Sequence, residues 1–339
     1  QRGMFMNVWK LTAPGKLERT EAENPAREEG KVRVRVTKVF LNGTDAAIFR
    51  GAVETHRPII PGRYAMGMVA EEGGVSYLPK GTRVLLHAVV EAPDTGTKPK
   101  NFAEDDFLLC GRTADGYLRD LVNLPPENVT VLPDSVSDDK ALLLHHVALA
   151  KAAADKLGAK KGQHVAVVGA NLLGILLCQL LIYQQAAPIL IDAEPERLEF
   201  AKSCGVYYTM TADENLLNNV ANVTGGRLAS GAIYLASSRR NDPSIPFSVC
   251  AQHRDVVFCG FGEKLSIDFA LPFRKQLSVY CVTHRSDNLE AAINLVVSGA
   301  VDVSAFEFRV QKAENAANVL EEYSAAARGL GTINVLTLV

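Results

Sequence analysis

The sequence predicts a two-domain α/β protein, in which a β-rich part is followed by a doubly wound parallel sheet. Three observations support this prediction. Residues 31–36 alternate strictly between charged and apolar side chains, which is typical of a half-buried strand. After residue 137, apolar strand-like runs alternate with helical segments, as they do in a parallel sheet covered by helices. The length of 339 residues is sufficient for two domains.

The first 137 residues are predicted to form strands and turns. Beyond the strand at 31–36, further strands are expected at 69–70 and 84–86. Residues 91–107 are polar and contain two prolines and a glycine, so a loop or lobe is expected there.

The spacing of apolar residues along the chain changes after residue 137. Two acidic residues open the first helix, and Pro195 fits the first turn of a later one. Helices are predicted over 138–157, 173–185, 195–203, 215–223, 288–298 and 312–326. Strands are predicted over 164–169, 188–192, 206–207, 232–236, 255–260, 277–282, 306–310 and 333–338.

Composition excludes several functional classes. The formal net charge is −2 and no basic run is interleaved with aromatic residues, so we expect no nucleic-acid partner. The apolar runs are too short to span a membrane, and no signal peptide is recognised near the first residues. The six cysteines form no Cys-x-x-Cys pair, which predicts neither a zinc cluster nor a disulfide framework and favours a reducing, cytoplasmic location.

The most specific signal is the segment 165–193. An apolar run meets a turn that reads G-A-N-L-L-G from Gly169 to Gly174, and a helix and a second apolar run ending at Asp192 follow. This pattern predicts a βαβ unit that holds a dinucleotide, because a helix N-terminus offers N–H groups and a positive dipole end to a pyrophosphate. Asp192 is expected to accept hydrogen bonds from the adenosine ribose, which favours NAD over NADP because a 2′-phosphate would meet a negative charge.

The turn departs from the usual fingerprint at Asn171, which stands where the middle glycine is expected. Asparagine tolerates left-handed backbone angles better than other non-glycine residues, so we expect the turn to form with this side chain near the phosphate. Two alternatives stay open: a turn that binds nothing, and an Asp192 that is only the solvated end of a strand.

Several ordered motifs extend the pattern to the whole chain. Residues 42–45 (NGTD) stand in the place of a Cys-Gly-Thr-Asp motif, and residues 61–69 (PGRYAMGMV) where Pro-x-x-Gly-His-Glu-x-x-Gly-x-Val is expected. Residues 115–117 (DGY) are similar to an Asp-Gly-Gly-Tyr segment. With the dinucleotide unit, these motifs resemble the medium-chain dehydrogenase/reductase superfamily, near its polyol and threonine dehydrogenases, over about residues 5–339.

The resemblance implies a GroES-like β-rich catalytic domain (residues 1–140 and 284–339) and a Rossmann doubly wound parallel-sheet domain (residues 141–283). The active site would lie in the cleft between them, with NAD(H) as cofactor and NADP less favoured. By family position, the residues that hold the cofactor would be Gly169, Asn171, Leu172, Leu173, Gly174, Asp192, Arg197, Ala236, Ser237, Gly260, Phe261, Gly262 and Thr283.

The zinc ligands of the family are not matched. Its cysteine, histidine and glutamate positions hold Asn42, Arg63 and Tyr64, and a later ligand falls at or near His145. Arginine has no lone pair to donate to a metal. A single cysteine lies between residues 91 and 110, where the family's structural zinc needs four. We therefore expect no zinc at either place.

Without a metal, another group must polarise the substrate or move its proton. The candidates for catalysis are Thr44 as proton relay, Tyr64 as proton donor, His145 as proton shuttle, and Arg63 as a fixed charge for an alkoxide, carboxylate or phosphate. Each has a structural alternative: a helix cap for Thr44, a core aromatic for Tyr64, and a helix-face residue for His145. For Arg63 the alternative is a salt bridge with Asp45 or Glu71.

These observations predict a zinc-independent, NAD(H)-dependent oxidoreductase acting on a small alcohol, polyol or carbonyl compound. One alternative is a zinc-free enoyl or quinone reductase, since Asn42, Asp45, Arg50 and Gly51 resemble an Asn-Pro-x-Asp…Arg-x-Gly pattern. The tyrosine expected just after that glycine is missing, and Asp192 argues for NAD rather than NADP. Another alternative is a non-catalytic descendant that binds NAD(H). The family implies a homodimer or homotetramer, for which residues 265–279 are candidates.

Overall fold

A computed structural model describes residues 4–71, 75–92, 107–236, 240–260, 265–284, 288–325 and 331–338. The chain divides into two compact units, which are described separately. Unit 1 is Gln1–Leu143 with Phe306–Val339, and unit 2 is Leu144–Ala305. The described strands are β1 (Phe5–Ala13), β2 (Lys16–Glu23), β3 (Val32–Leu41), β4 (Tyr64–Val69), β5 (Arg83–Leu86), β6 (Val89–Glu91), β7 (Phe107–Leu109), β8 (Leu121–Leu124), β9 (Val129–Val131), β10 (His164–Val168), β11 (Ala187–Asp192), β12 (Tyr208–Thr211), β13 (Ala232–Leu235), β14 (Asp255–Cys259), β15 (Ser278–Val282), β16 (Glu307–Lys312) and β17 (Thr332–Thr337). The helices are α1 (Gly43–Phe49), α2 (Asp138–Leu157), α3 (Leu172–Tyr183), α4 (Pro195–Ser203), α5 (Leu216–Val223), α6 (Ile245–Val249), α7 (Ala270–Lys275), α8 (Leu289–Val297) and α9 (Ala316–Ala325).

Unit 1 is built on a mixed sheet in the order β16-β17-β3-β4-β5-β9, with β8 paired to β3. The described pairs are antiparallel except β16 with β17, and two two-stranded antiparallel pairs, β1-β2 and β6-β7, lie outside this sheet. The alternation at residues 31–36 places Val32, Val34 and Val36 in the core, because successive strand residues face opposite sides. The predicted β-rich part is therefore confirmed.

Unit 2 contains a six-stranded, all-parallel sheet in the order β12-β11-β10-β13-β14-β15. Numbered from β10 as the first strand, this is the order 3-2-1-4-5-6 of a doubly wound dinucleotide-binding sheet. Its central strands are buried on both faces, which explains their uninterrupted apolar sequences. The predicted parallel sheet is confirmed, and its order reverses between β10 and β13.

The boundaries of the two units differ from the predicted domains. The first change falls between residues 143 and 144, within α2, instead of at 140/141. The second falls between 305 and 306 instead of 283/284, so α8 belongs to unit 2. Gln179 in α3 explains part of this difference, since its side-chain amide exchanges two hydrogen bonds with the backbone of Asp302, at 2.9 and 3.0 Å.

Most predicted elements in unit 2 are present within about two residues of their expected bounds. The strand predicted at 206–207 instead lies at Tyr208–Thr211, and α6 and α7 were not predicted. In unit 1 the β1-β2 hairpin was not predicted. Within the residues that the structure describes, no helix has both the length and the apolar character that a membrane crossing requires.

Candidate cofactor site and buried polar cluster

The carboxyl ends of the six parallel strands place most of the predicted cofactor residues along one edge of the sheet. Gly169 follows β10, Asp192 ends β11, Ala236 follows β13 and Gly260 follows β14. Thr283 follows β15 and is exposed. Because ligands of such sheets bind outside the carboxyl ends at the point where the strand order reverses, the turn after β10 lies at the expected position.

The turn from Gly169 to Gly174 needs glycine at both ends. Gly169 has a φ of 120°, a region that favours glycine. A Cβ on Gly174 would lie 1.9 Å from the Gly169 carbonyl oxygen, so α3 approaches the strand as closely as the fingerprint requires. Leu173 is buried and Leu172 is half-buried, and both lie in the first turn of α3.

Asn171 does not use the left-handed conformation that asparagine tolerates. Its backbone is extended, with φ −103° and ψ −177°, so the expected turn forms without a left-handed residue at this position. Its side chain instead caps α3, since Oδ1 accepts a hydrogen bond of 3.0 Å from the Gly174 N–H. An asparagine at this position satisfies one of the helix donors that a phosphate would otherwise use.

Asp192 is only 1% exposed and is not a solvated strand end. Its Oδ2 accepts hydrogen bonds from the Ala170 N–H at 2.7 Å and from the Asn241 side-chain amide at 3.1 Å. Its Oδ1 accepts one from the Glu194 N–H at 3.0 Å. The carboxylate therefore joins the glycine turn, the end of β11 and the segment after β13. The sequence did not point to Asn241, because it lies 49 positions after Asp192 and belongs to no local pattern.

Arg197 lies in α4, and its guanidinium is bound to Glu194, the residue before that helix. The Arg197 Nε donates to Glu194 Oε2 at 2.7 Å, and Arg240 also pairs with this carboxylate. The predicted contact of Arg197 with the cofactor stays a prediction, since its charge is engaged by a neighbouring carboxylate.

The nicotinamide half of the predicted site is described only in part. Gly260 has a φ of 153°, and a Cβ there would lie 2.8 Å from the Ala236 Cβ, so these two strand ends are in contact. Ser237, Phe261 and Gly262 lie outside the described residues.

In unit 1, Asn42 and Asp45 form the N-terminus of α1. The Asn42 side chain accepts from the N–H groups of Thr44 and Asp45 at 2.8 and 3.3 Å, and Asp45 Oδ2 accepts from the Asn42 N–H at 3.0 Å. This is a reciprocal capping box. Asn42, and not Thr44, is therefore the cap, and the half-buried Thr44 side chain is not used for it.

Arg63 and Asp45 are buried close together, at 2% and 3% exposure. Burial raises the pKa of the Asp45 carboxyl, and the Arg63 charge and the N–H groups around it partly offset this rise. The Arg63 Nε donates to the Cys110 carbonyl oxygen at 3.3 Å. Glu71 pairs instead with Arg33, at 2.7 Å. Of the two structural alternatives for Arg63, its electrostatic effect on the Asp45 carboxyl and the pairing of Glu71 with Arg33 favour Asp45.

Tyr64 stacks on Phe40 with ring centroids 5.9 Å apart and is buried. Burial raises the pKa of its hydroxyl to about 12, and the Arg63 charge and a hydrogen bond from Arg63 limit the rise. A hydroxyl with this pKa is a weak proton donor near neutral pH. The catalytic role of Tyr64 stays a prediction.

A third buried group in unit 1 lies around Cys110 and was not predicted. The Tyr117 hydroxyl donates to the His87 carbonyl oxygen at 2.6 Å, and the Cys110 thiol lies 3.4 Å from that hydroxyl. Burial raises the pKa of the Cys110 thiol, so it is protonated and unreactive near neutral pH. Cys110 therefore packs in the interior of unit 1, where its backbone carbonyl oxygen accepts the hydrogen bond from Arg63.

Three of the four positions of the family's metal ligands hold side chains that do not fit zinc. The Asn42 side chain caps α1, Arg63 has no lone pair, and the Tyr64 hydroxyl is buried and protonated. Among the described residues, no cluster of three or more histidine, cysteine or acidic side chains could hold a metal.

His145 lies in unit 2, on α2, and is buried. Its ring meets that of His284 edge to face, with centroids 5.8 Å apart, and His146 approaches the same ring at 6.4 Å. The structure therefore brings Arg63 and Tyr64 close to Asp45, the residue after Thr44, within unit 1, and His145 close to His284 within unit 2.

Comparisons with known proteins agree with this architecture. Residues 28–134 match the family described as the alcohol dehydrogenase GroES-like domain. An uncharacterized zinc-type alcohol dehydrogenase-like protein from Haemophilus influenzae is 26% identical over 227 residues, which cover 65% of this chain and 66% of the relative, just under two thirds of its length. Sorbitol dehydrogenase from Bacillus subtilis is 23% identical over 82% of each chain.

A solved structure supports the fold over the whole chain. A protein described as a short chain alcohol dehydrogenase from Escherichia coli CFT073, complexed with NADH, superposes with a TM-score of 0.85. It is 22% identical and covers 99% of this chain and 100% of its own. The predicted GroES-like and Rossmann folds are confirmed, residues 28–134 match the alcohol dehydrogenase GroES-like domain, and the relatives support the predicted resemblance to the medium-chain dehydrogenase/reductase superfamily.

Proposed function

We propose that this protein is a zinc-independent, NAD(H)-dependent oxidoreductase that acts on a small alcohol, polyol or carbonyl compound. The observation that supports this best is the parallel sheet in the order 3-2-1-4-5-6 with the Gly169–Gly174 turn where the order reverses. The similarity to sorbitol dehydrogenase favours a polyol or a related alcohol as substrate. A bound nicotinamide would supply the acceptor or donor of the hydride.

The backbone of the turn has the close approach that the dinucleotide fingerprint requires. At Gly174 the helix α3 lies so near the Gly169 carbonyl oxygen that no side chain would fit there. The N-terminus of α3 would hold the pyrophosphate, and Asp192 the adenosine ribose. The negative charge of Asp192 favours NAD(H) over NADP(H), since a 2′-phosphate would lie close to it. Gly260 and Ala236 would contact the nicotinamide end.

The proposed zinc independence rests on the chemistry of the donor set. Arg63 places a permanent positive charge at the position of a metal-ligating histidine, and a nearby Zn²⁺ would be repelled by it. In unit 1 the buried Arg63 and Asp45 stabilise the segment from which Thr44 projects. Thr44 is the strongest candidate for moving a substrate proton, because the capping box leaves its side chain out of the cap.

The proposal is tested with purified protein and NAD⁺ on a panel of polyols and small alcohols, before and after treatment with a chelator. Turnover that survives the chelator, in protein without stoichiometric zinc, is the expected result. One zinc per chain that is required for turnover would contradict the proposal. Thr44→Val should lower kcat about 100-fold without weakening NADH binding, whereas Thr20→Val on β2 serves as the control.

A second candidate is a non-catalytic protein that binds NAD(H). The burial of Arg63 and Tyr64 favours it, because neither side chain is exposed to a substrate in solution. Failure of the polyol panel and of a matching enone panel, together with saturable NADH binding, would support this candidate. Turnover of enones alone would instead support a zinc-free alkene reductase.

We also propose a homo-oligomer formed through unit 2. β15 is the last strand of the parallel sheet, and the preceding α7 exposes Phe273, which is 79% exposed. Light scattering of the purified protein should give a dimer or tetramer mass, and Phe273→Glu should shift it toward the monomer. A monomeric wild-type protein at micromolar concentration would contradict this assignment.

A further inference from the structure

The carboxylate that is proposed to hold the adenosine ribose is already engaged by the protein. A carboxylate offers about four lone-pair sites, and three of those on Asp192 accept hydrogen bonds from Ala170, Glu194 and Asn241. A ribose diol needs two acceptors on the same carboxylate. At 1% exposure, Asp192 is also closed to solvent. One of its three donors must therefore leave before a ribose can bind.

Asn241 is the donor that can leave. The donors from Ala170 and Glu194 are backbone N–H groups held by the glycine turn and by the start of α4, whereas Asn241 donates through a side chain. That side chain is 2% exposed, and its Oδ1 also accepts from the Ala193 N–H at 2.8 Å. Rotation of one side chain would open the carboxylate without moving the sheet.

Asn171 blocks the proposed pyrophosphate position as Asn241 blocks the ribose position. Its Oδ1 accepts the hydrogen bond of the Gly174 N–H, a donor at the N-terminus of α3. An anion at that N-terminus would compete with this neutral oxygen for the same donor. Asn171 and Asn241, 70 positions apart in sequence, thus each hydrogen-bond to a group that the adenosine half of the cofactor would use.

We propose that Asn241 and Asn171 keep the adenosine half of the cofactor site closed, and that a dinucleotide binds only by displacing their side chains from Asp192 and from the Gly174 N–H. This inference rests on the proposed function. Its consequence is a weakened affinity for the adenosine half, because binding exchanges protein hydrogen bonds for ligand hydrogen bonds instead of adding new ones. Both asparagines are positioning residues.

The test uses ADP-ribose, which carries the adenosine and the pyrophosphate without the reacting nicotinamide, in calorimetric titrations of the whole protein. Asn241→Ala should bind ADP-ribose about tenfold more tightly, since one hydrogen bond to a charged group no longer has to be broken. The same variant should melt at a lower temperature, because it loses at least the two buried hydrogen bonds to Ala193 and Asp192. Asn171→Gly should also bind more tightly, with a smaller loss of stability, since glycine is tolerated at a helix N-cap.

A matched control separates this effect from general loosening of unit 2. Thr224→Val removes a buried hydroxyl that donates to the Val220 carbonyl at 2.7 Å and accepts from the Leu228 N–H at 2.9 Å. It should lower the melting temperature and leave the affinity for ADP-ribose unchanged. A merely structural role of Asn241 would make its variant behave like this control.

The outcomes distinguish the inference from the function on which it rests. Tighter binding by Asn241→Ala and by Asn171→Gly supports the inference. Saturable wild-type binding that is unchanged or weaker in both variants overturns the inference alone and leaves the proposed cofactor intact. Absence of saturable binding in the wild type and in both variants overturns the proposed cofactor and the inference together.

Discussion

Replacing Arg63 by methionine tests the buried charge pair at the place where the family has a metal ligand. Arg63→Met retains the apolar stem of the side chain and removes its charge, which leaves the Asp45 carboxylate buried without its cation. Removing one partner of a buried, hydrogen-bonded ion pair costs about 3–5 kcal/mol. Arg63 acts on Asp45 through its charge, and Asp45 retains its hydrogen bonds from the N–H groups of Asn42 and Gly62, so a loss below that range, about 2 kcal/mol, is expected at pH 7.5.

This loss should depend on pH in a defined direction. Burial raises the pKa of Asp45 above its ordinary value of 3.8, and the Arg63 charge opposes that rise. A carboxyl whose folded-state pKa is raised binds its proton more tightly in the native state, so its contribution to stability declines as the pH increases through that pKa. Without Arg63 the pKa rises further. The deficit of the variant relative to the wild type should therefore be smaller at pH 5 than at pH 7.5.

Urea unfolding followed by the fluorescence of Trp9 measures the deficit. Trp9 is the only tryptophan of the chain and is buried in the core of unit 1, which also contains Arg63 and Asp45. The double variant Asp45→Asn/Arg63→Met should recover at least half of the loss, because asparagine retains a side-chain oxygen for the Asn42 N–H. Arg309→Met, which removes an exposed 4.0 Å ion pair, should cost less than about 1 kcal/mol.

Two results would refute this reasoning. An Arg63→Met deficit below about 1 kcal/mol at pH 7.5 would mean that the pair behaves like an exposed one. A full deficit that is equal at both pH values and additive with Asp45→Asn would mean that the two charges are not coupled.

The remaining predictions concern other buried groups. Burial lowers the pKa of His87 to about 4, so unit 1 should lose stability as the pH falls from about 6.5 to 4, and His87→Gln should flatten this urea-midpoint profile. Lys275→Met should lower the free energy of unfolding by about 2–3 kcal/mol in thermal melts, because the ammonium donates to three backbone carbonyls at 2.7–2.8 Å; unchanged melting would disprove that role. Gly174→Ala should destabilise unit 2 far more than Gly231→Ala. The added Cβ would lie 1.9 Å from a backbone oxygen at Gly174, but 2.8 Å from a leucine methyl, which can move, at Gly231. Equal melting temperatures of the two variants would contradict this.

The parallel sheet of unit 2 could be predicted because its signals are local. β10, β11 and β13 are continuous apolar runs, and Pro195 and the acidic start of α2 mark helix beginnings within a few residues. The β1-β2 hairpin was missed because β2 reads KLERTEAE and lies mostly exposed, so no apolar alternation indicates a strand. The short helices α6 and α7 were missed since each has a proline near its start and spans at most six residues.

The candidate site was predictable in its backbone but not in its side-chain contacts. Gly169, Gly174 and Asp192 were located from the fingerprint, and the structure places them at the carboxyl edge as expected. Asn241 and Asp192 are 49 positions apart in the sequence, and no periodicity of the sequence predicts a contact between residues so far apart. For Arg63 the sequence left two structural partners open, and only the fold distinguishes Asp45 from Glu71.

The most direct test of the proposed cofactor site is a fluorescence titration of chelator-treated protein with NADH and with NADPH. We expect saturable binding of one NADH per chain, tighter than NADPH, and at least about tenfold weaker NADH binding in Asp192→Asn because the ribose loses hydrogen bonds to a charged acceptor. Tighter binding of NADPH, or no saturable binding of either nucleotide, would contradict the assignment of this sheet edge to NAD(H).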